Sequence, residues 1–367
     1  MNSPKVSVIV TSYNDAKLLP KCLDALLSQT LADIEIIGVN DASSDDTLDV
    51  LKRYAKQDSR VKYVDNPENV GLAASRNRGI EKATAPFLMF CDADDYYEPT
   101  MCQDMYQAIT ESKADLALSE IRVTYNAHAE MKPSDDNYYS LKYHGLQKVD
   151  RNVIYNTDLS STDKIFRKAI LDKYHLEFPE GKRFEDAYFC AAYFCASQTA
   201  FFLNKQLYNY VRHAGSIMSQ TWSKDTADDH AIDHLHIAFM LYDFLDKYEL
   251  LAKYNELYWQ YFEAFEDFAL RNSKSKERIR QVKAEASKFV EEHRASFESA
   301  NVNNQENIQR LNSGKFYFST TGLKRFLIKL MPTYRLATEN IQRLRTLEVK
   351  HQQLLEKIDQ LRGQEQK

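Results

Sequence analysis

No run in this 367-residue sequence approaches the roughly 18–20 uninterrupted apolar residues that a membrane-spanning helix needs, which excludes an integral membrane protein. Cysteine is sparse: Cys22, Cys91, Cys102, Cys190 and Cys195 are odd in number and form no CxxC pair. The opening MNSPKVSVIV carries one Lys and too few apolar residues for a secretory leader. The expectation is a cytoplasmic chain with reduced thiols, not a disulfide or zinc framework. No GxGxxG follows the first apolar run, and a dinucleotide fold needs those glycines where the pyrophosphate meets the helix start. Hydride transfer is therefore disfavoured. Repeats and low-complexity tracts are absent as well. The net charge of −5 argues against nucleic acid as a partner, and 44% apolar residues rule out wholesale disorder. The charge is uneven, with ten Lys/Arg against five Asp/Glu from Thr321 to Lys367, so a basic tail follows an acidic body.

What is present alternates between two periods. Val6–Val10, Ile34–Val39, Val61–Val64 and Pro86–Cys91 are short, predominantly apolar runs, as in parallel strands covered on both faces. Between them Leu18–Leu27, Thr47–Ala55 and Leu72–Ala83 carry helical spacing. Strand–helix alternation predicts right-handed crossovers and an open, doubly wound α/β sheet, in which ligands bind beyond the carboxyl ends of the strands. Asp115–Tyr125 and Ala200–His213 read as further strands, and residues 228–299 carry amphipathic helical patterns. Asn301–Asn312 is a polar linker.

The informative residues are those just past each strand. Thr11-Ser12-Tyr13-Asn14-Asp15 follows the first, Asn40-Asp41 the second, and Asn69 to Gly79 the third, with Arg76 within it. Asp92-Ala93-Asp94-Asp95 follows the fourth, placing three carboxylates within four residues. Crowded carboxylates raise one another's pKa unless a cation is present, and oxygen-only donors suit a hard divalent ion such as Mg²⁺ or Mn²⁺. An acidic turn capping a helix that starts near Pro99 is the plain alternative. Acids delivered by two strands to one sheet edge weigh against it.

The series VSVIVTSYN, VNDASSDDT, NVGLAASRNRG and FCDADD closely resembles the family 2 glycosyltransferases of the bacterial cell-surface polysaccharide type, which have a GT-A fold. The resemblance implies that Thr11, Tyr13 and Asp41 hold the nucleotide base, with Arg76 on the nucleotide side. Asp92 and Asp94 then match the metal and ribose motif, Asp94 being the direct ligand of Mn²⁺ or Mg²⁺. Lys182-Arg183-Phe184-Glu185-Asp186 matches the acidic pair at the acceptor side, with Glu185 and Asp186 as catalytic residues and Asp186 as general base. The pair precedes a helix over Ala187–Ala196, so a capping role coexists with this one. Leu207–Ser216 is similar to the segment that closes over the diphosphate: Arg212 and Ser216 would meet the donor, and His213 the metal or phosphate. Ser160–Phe166 also resembles a family stretch, with no role assigned to Lys164. Tyr96, Tyr97, Tyr138 and Tyr139 are candidate sugar platforms.

The implied reaction is inverting transfer of a hexosyl or N-acetylhexosaminyl group from a UDP-sugar to a glycan or lipid-linked hydroxyl. A sugar nucleotidyltransferase would want a glycine-rich loop with a basic residue after strand one, and an inactive scaffold has no reason to keep mutually repulsive acids. The implied organisation is a GT-A catalytic domain over 1–225, a helical subdomain over 226–312 and a tail over 313–367. In the tail Leu323, Phe326, Leu327, Leu330 and Met331 make a basic amphipathic helix that could lie on the inner face of the membrane or on the protein body. Leu344, Leu347, His351, Leu354, Ile358 and Leu361 form a short heptad seam that could join two subunits or pack back on its own chain.

Overall fold

The computed structural model describes residues 3–125, 138–139, 141–212 and 230–301. The chain divides into two compact units, Met1–Phe318 and Ser319–Lys367. The second unit, with the expected tail helix and heptad seam, lies outside the described residues, and so do His213 and Ser216.

Four strands build the first half of one sheet: β1 (Val6–Ser12), β2 (Ile34–Asn40), β3 (Val61–Asp65) and β4 (Phe87–Asp92). They run parallel in the order β3-β2-β1-β4, joined by helices α1 (Leu19–Leu27), α2 (Thr47–Gln57) and α3 (Leu72–Lys82). Every residue of β1 and β2 is buried, as expected of strands covered on both faces, the polar Ser7 and Glu35 by bonding each other: Ser7 Oγ donates to Glu35 Oε1 at 2.5 Å. Strand β3 departs from that expectation. It is the sheet edge, and Lys62, Tyr63 and Asp65 are exposed.

The second half is mixed. After β5 (Tyr96–Tyr97) and α4 (Met101–Glu111) comes β6 (Leu116–Tyr125). Strands β7 (Tyr138–Tyr139) and β8 (Gly145–Lys148) and helix α5 (Arg151–Tyr155) follow. Strand β9 (Lys164–Arg167) is inserted antiparallel between β4 and β6, and is too short and too charged to read as a strand from its pattern. Helices α6 (Lys168–Tyr174) and α7 (Glu185–Ala196) lead to β10 (Thr199–Arg212), which pairs parallel with β6. The full path of the ten-stranded sheet is β3-β2-β1-β4-β9-β6-β10-β5, with β7 on β6 and β8 on β10.

Helix α7 has almost no polar face, since nine of its twelve residues are buried. It is therefore a central helix rather than a surface one. Its Phe189 stacks on Phe178 with ring centroids 3.9 Å apart, and Phe90 and Phe166 meet the same ring edge-on. Against α7 pack α8 (Asp233–Lys247) and then α9 (Leu251–Asn272), followed by α10 (Lys276–Glu292) and α11 (Arg294–Ala300). Trp259, Phe262, Phe289 and Phe297 form the aromatic core of this helical layer.

One glycine sets how closely α3 approaches β1. A Cβ on Gly79 would stand 2.4 Å from Cγ2 of Ile9, a stiff β-branched side chain in the central strand. Gly79→Ala should lower the unfolding free energy in urea titration by up to about 2 kcal/mol, an overpacking cost of about 1–3 kcal/mol offset by the roughly 1 kcal/mol by which Ala is favoured over Gly inside a helix. An unchanged midpoint would mean that Ile9 yields.

Candidate active site

The register brings the strand ends to one edge: Thr11 lies opposite Asp92 across β1 and β4, and Ser12 opposite Asn40 across β1 and β2. Beyond that edge two loops are laced together. Asn14 and Ala42 both adopt left-handed backbone (φ 58° and 54°). The Asn14 amide donates to Ser43 Oγ at 2.9 Å, and its side-chain oxygen accepts from the Ser44 amide at 2.8 Å. Tyr13 projects from this edge with half its surface exposed, whereas Thr11 is buried.

Asp41 lies just past β2 but is buried and engaged by its own chain. Its carboxylate accepts from Asn66 Nδ2 (2.9 Å), the Val70 amide (2.9 Å) and the Gly71 amide (2.8 Å). It thereby fixes the turn that launches α3, where Gly71 has φ 88°, a conformation that glycine adopts without strain.

Arg76, on α3, is only 2% exposed and is the hub of the site. Its Nη2 donates to Asp92 Oδ1 at 2.9 Å, and its Nη1 to Glu185 Oε1 at 2.8 Å and Asp186 Oδ1 at 2.5 Å. The guanidinium lies 5.2 Å from the centre of the Phe178 ring. Burial works to lower its pKa, but Asp186, Asp92 and Glu185 outweigh that and raise it, so the charge is fixed. The arginine expected on the nucleotide side thus bridges Asp92 and the Glu185–Asp186 pair.

That pair also sits differently from expectation. Helix α7 begins at Glu185, so both acids occupy its first turn, where the helix dipole favours negative charge. The capping position is Phe184, in left-handed backbone (φ 65°), and its side chain has no acceptor to offer. Glu185 and Asp186 therefore do not cap the helix; they turn to Arg76. Their environments differ. The Glu185 side chain is 10% exposed, and burial followed by the Asp186 charge pushes it up to about 7 against the pull of Arg76. The Asp186 side chain is 26% exposed, held by Ser161 as well as Arg76.

The three acids after β4 diverge. Asp92 faces Arg76; with a third of its side chain open to solvent, it is still pushed up by its buried setting and by Asp94 and Asp186, against Arg76. Asp95 turns inward, accepting from Tyr208 Oη at 2.5 Å and the Val211 amide at 2.6 Å, which locks β10 to this loop. Asp94 is half-buried and adds negative charge that raises Asp92, Asp95 and Asp15. Asp15 is pushed up to about 6, first by burial, then by Asp94, Asp45 and Asp92, and opposed by the Tyr13 amide. Its position three residues past β1 is the signal that could have marked it. Among the described residues no three His, Cys, Asp or Glu side chains form a preassembled metal centre.

The helical layer reaches the site too. Asp233 Oδ2 accepts from the Arg183 amide at 3.2 Å, and Phe184 packs on His234, ring centroids 3.6 Å apart. Neither contact has a sequence signal, because the partners are some 50 residues apart on separate patterned segments.

With this geometry stand four likenesses. Residues 7–175 match the model of glycosyl transferase family 2. The putative glycosyltransferase EpsH of Bacillus subtilis is 30% identical over 246 residues, covering 65% of this chain and 70% of EpsH. The chain belongs to glycosyl transferase family 2. Glycosyltransferase GlyA of Streptococcus pneumoniae is 31% identical over 230 residues, 60% of this chain, which spans about a third (32%) of GlyA's length. In fold, this family 2 glycosyltransferase resembles the 1–349 fragment of S. aureus TarS in complex with UDP-GlcNAc. The TM-score is 0.54 at 22% identity, covering 86% of this chain and 93% of that one. The expected GT-A architecture with a helical C-terminal region is thus borne out.

Glu185 offers a test by pH. Its folded pKa near 7 lies above the ordinary 4.5, so the folded state holds the proton more tightly than the unfolded chain. Its contribution is fully present below pH 4.5 and lost as pH rises through 7. The stability of wild type minus that of Glu185→Gln should therefore fall between about pH 5 and pH 8. A pH-independent difference in denaturant titrations would contradict the raised pKa.

Proposed function

We propose that this glycosyltransferase moves a sugar, with inversion, from a UDP-sugar to a hydroxyl of a glycan or lipid-linked acceptor in bacterial cell-surface polysaccharide synthesis. The observation that carries the reading is the Arg76 bridge, which puts the donor-side Asp92 and the acceptor-side Asp186 on one guanidinium. The UDP donor class follows the ligand of TarS. The organisation proposed with it is a catalytic domain over 1–225 backed by helices over 226–312, with the basic tail over 313–367 meeting an anionic membrane or a second subunit.

Asp186, the more open acid of its pair, takes the proton of the acceptor hydroxyl as that oxygen attacks the anomeric carbon. The bond to the UDP oxygen breaks on the opposite face. A single base and direct displacement give inversion with no covalent sugar–enzyme intermediate. Glu185, less exposed than Asp186 and with Oε1 held by Arg76 at 2.8 Å, is suited to anchoring Arg76 rather than to meeting that hydroxyl. The residues fit a divalent cation: Asp92 has one oxygen off Arg76, Asp94 is half-buried beside it, and their acids outnumber the one guanidinium. Asp92 and Asp94 would hold Mn²⁺ or Mg²⁺, with His213 a further candidate. When bound, the ion supplies Lewis-acid neutralisation of the leaving diphosphate. Tyr13 would offer its exposed ring to the base, while Asp41 acts through the turn it fixes, and Thr11, Arg212 and Ser216 complete the donor side.

Asp186→Asn should slow turnover by about 10²–10⁴-fold, the worth of a positioned general base, while UDP-sugar binding persists. Near-wild-type turnover would remove the base assignment. Asp94→Ala should abolish the Mn²⁺-dependent part of UDP-sugar binding in titration calorimetry; unchanged Mn²⁺ dependence would move the metal elsewhere.

A further inference from the structure

Ser161, Thr162, Asp163 and Lys164 lie in succession at the start of β9, each no more than 5% exposed. Burying four polar side chains in the turn that enters a central strand is unfavourable unless each finds hydrogen bonds. Apart from those of Ser161, the bonds around them constrain one short turn. Lys164 Nζ, fully buried, donates to the Ser160 carbonyl and to Asp163 Oδ1, both at 2.6 Å. Cys190 Sγ, one turn along α7, donates to the same carbonyl at 3.4 Å. The Asp163 carbonyl accepts from the Ser119 amide of β6 at 2.9 Å. The Ser160 amide donates to Asp158 Oδ1 at 2.8 Å, and the Ser160 and Thr162 hydroxyls share a bond at 3.0 Å.

Ser161 sits in the middle of this fixed turn and faces the start of α7. Its hydroxyl donates to Asp186 Oδ1 at 3.0 Å and its amide to Asp186 Oδ2 at 3.3 Å. One residue thus holds both oxygens of the carboxylate, which stops it rotating and sets which lone pair faces an incoming hydroxyl. Stability alone does not account for the Lys164–Asp163 pair, because a buried ion pair is commonly matched or bettered by apolar residues of the same volume.

We propose that Ser161 is a positioning residue for Asp186 in sugar transfer, held in place by Lys164 through the Ser160 carbonyl. The proposal rests on Asp186 being the general base. Its test is steady-state UDP release from UDP-glucose and UDP-GlcNAc, with UDP affinity by calorimetry, on the full chain and its Ser161→Ala, Ser161→Cys, Asp163→Asn/Lys164→Met and Asp186→Asn variants. Both Ser161 variants should lower kcat about 10–100-fold, the cost of a base displaced by up to an ångström, with donor KM and UDP Kd unchanged. The double variant, which removes the pair without stranding a charge, should lower kcat to a similar degree. Wild-type kcat in the Ser161 variants beside an inactive Asp186→Asn would overturn the proposal and leave the base intact. Parallel loss of UDP affinity and kcat would make Ser161 merely structural and equally overturn it. Wild-type turnover in Asp186→Asn would instead remove the base, and the proposal with it.

Discussion

A single buried guanidinium compensating three carboxylates is the constraint on which the rest of the site depends. Arg76 comes from α3, Asp92 from the end of β4, and Glu185 and Asp186 from the first turn of α7, more than a hundred residues away. Burying these acids without a partner would be costly, and with one partner they remain one-sided, since three negative charges meet one positive charge. Burial first, and then the neighbouring acids, raise the pKa values of Asp92 and Glu185 and that of Asp15 across the edge. A site with such a surplus is suited to receiving positive charge or protons.

The fold makes this meeting rigid. Parallel pairing of β1 with β2 and β4 lines up the strand ends, and hydrogen bonds between the 12–16 and 41–47 loops tie the edge together. Asp41 clamps the turn before α3 and so sets where Arg76 emerges. On the other side α7 is sunk in an aromatic cluster that includes Phe178, the ring beneath Arg76. The helical layer adds Asp233 and His234 against residues 183 and 184, just ahead of the acidic pair. Rigid elements hold the charged groups, which suits chemistry that relies on preorganisation.

Much of this was legible from residue order alone. Apolar runs located β1, β2 and β4, and the acids after them fell at the sheet edge because ligand-facing residues follow strand ends. What stayed hidden depends on tertiary partners. Nothing in FCDADD says that Asp95 turns inward to Tyr208 while Asp92 turns to Arg76. Strand β9 carries Lys164 and Arg167 in four residues, so its burial contradicts its composition, and the resemblance over Ser160–Phe166 gave no role to Lys164 or Ser161. The edge position of β3 likewise depends on what does not pair with it.

The central claim is that Arg76 is charge-coupled to the acids of both half-sites, and a double-mutant cycle on unfolding free energy measures that coupling directly. In the native background Arg76→Met should cost about 3–5 kcal/mol, the penalty for stranding buried charges. In a background carrying Asp92→Asn, Glu185→Gln and Asp186→Asn the same substitution should cost about 1 kcal/mol or less, with no stranded charge left to penalise. Equal losses in the two backgrounds would contradict the account.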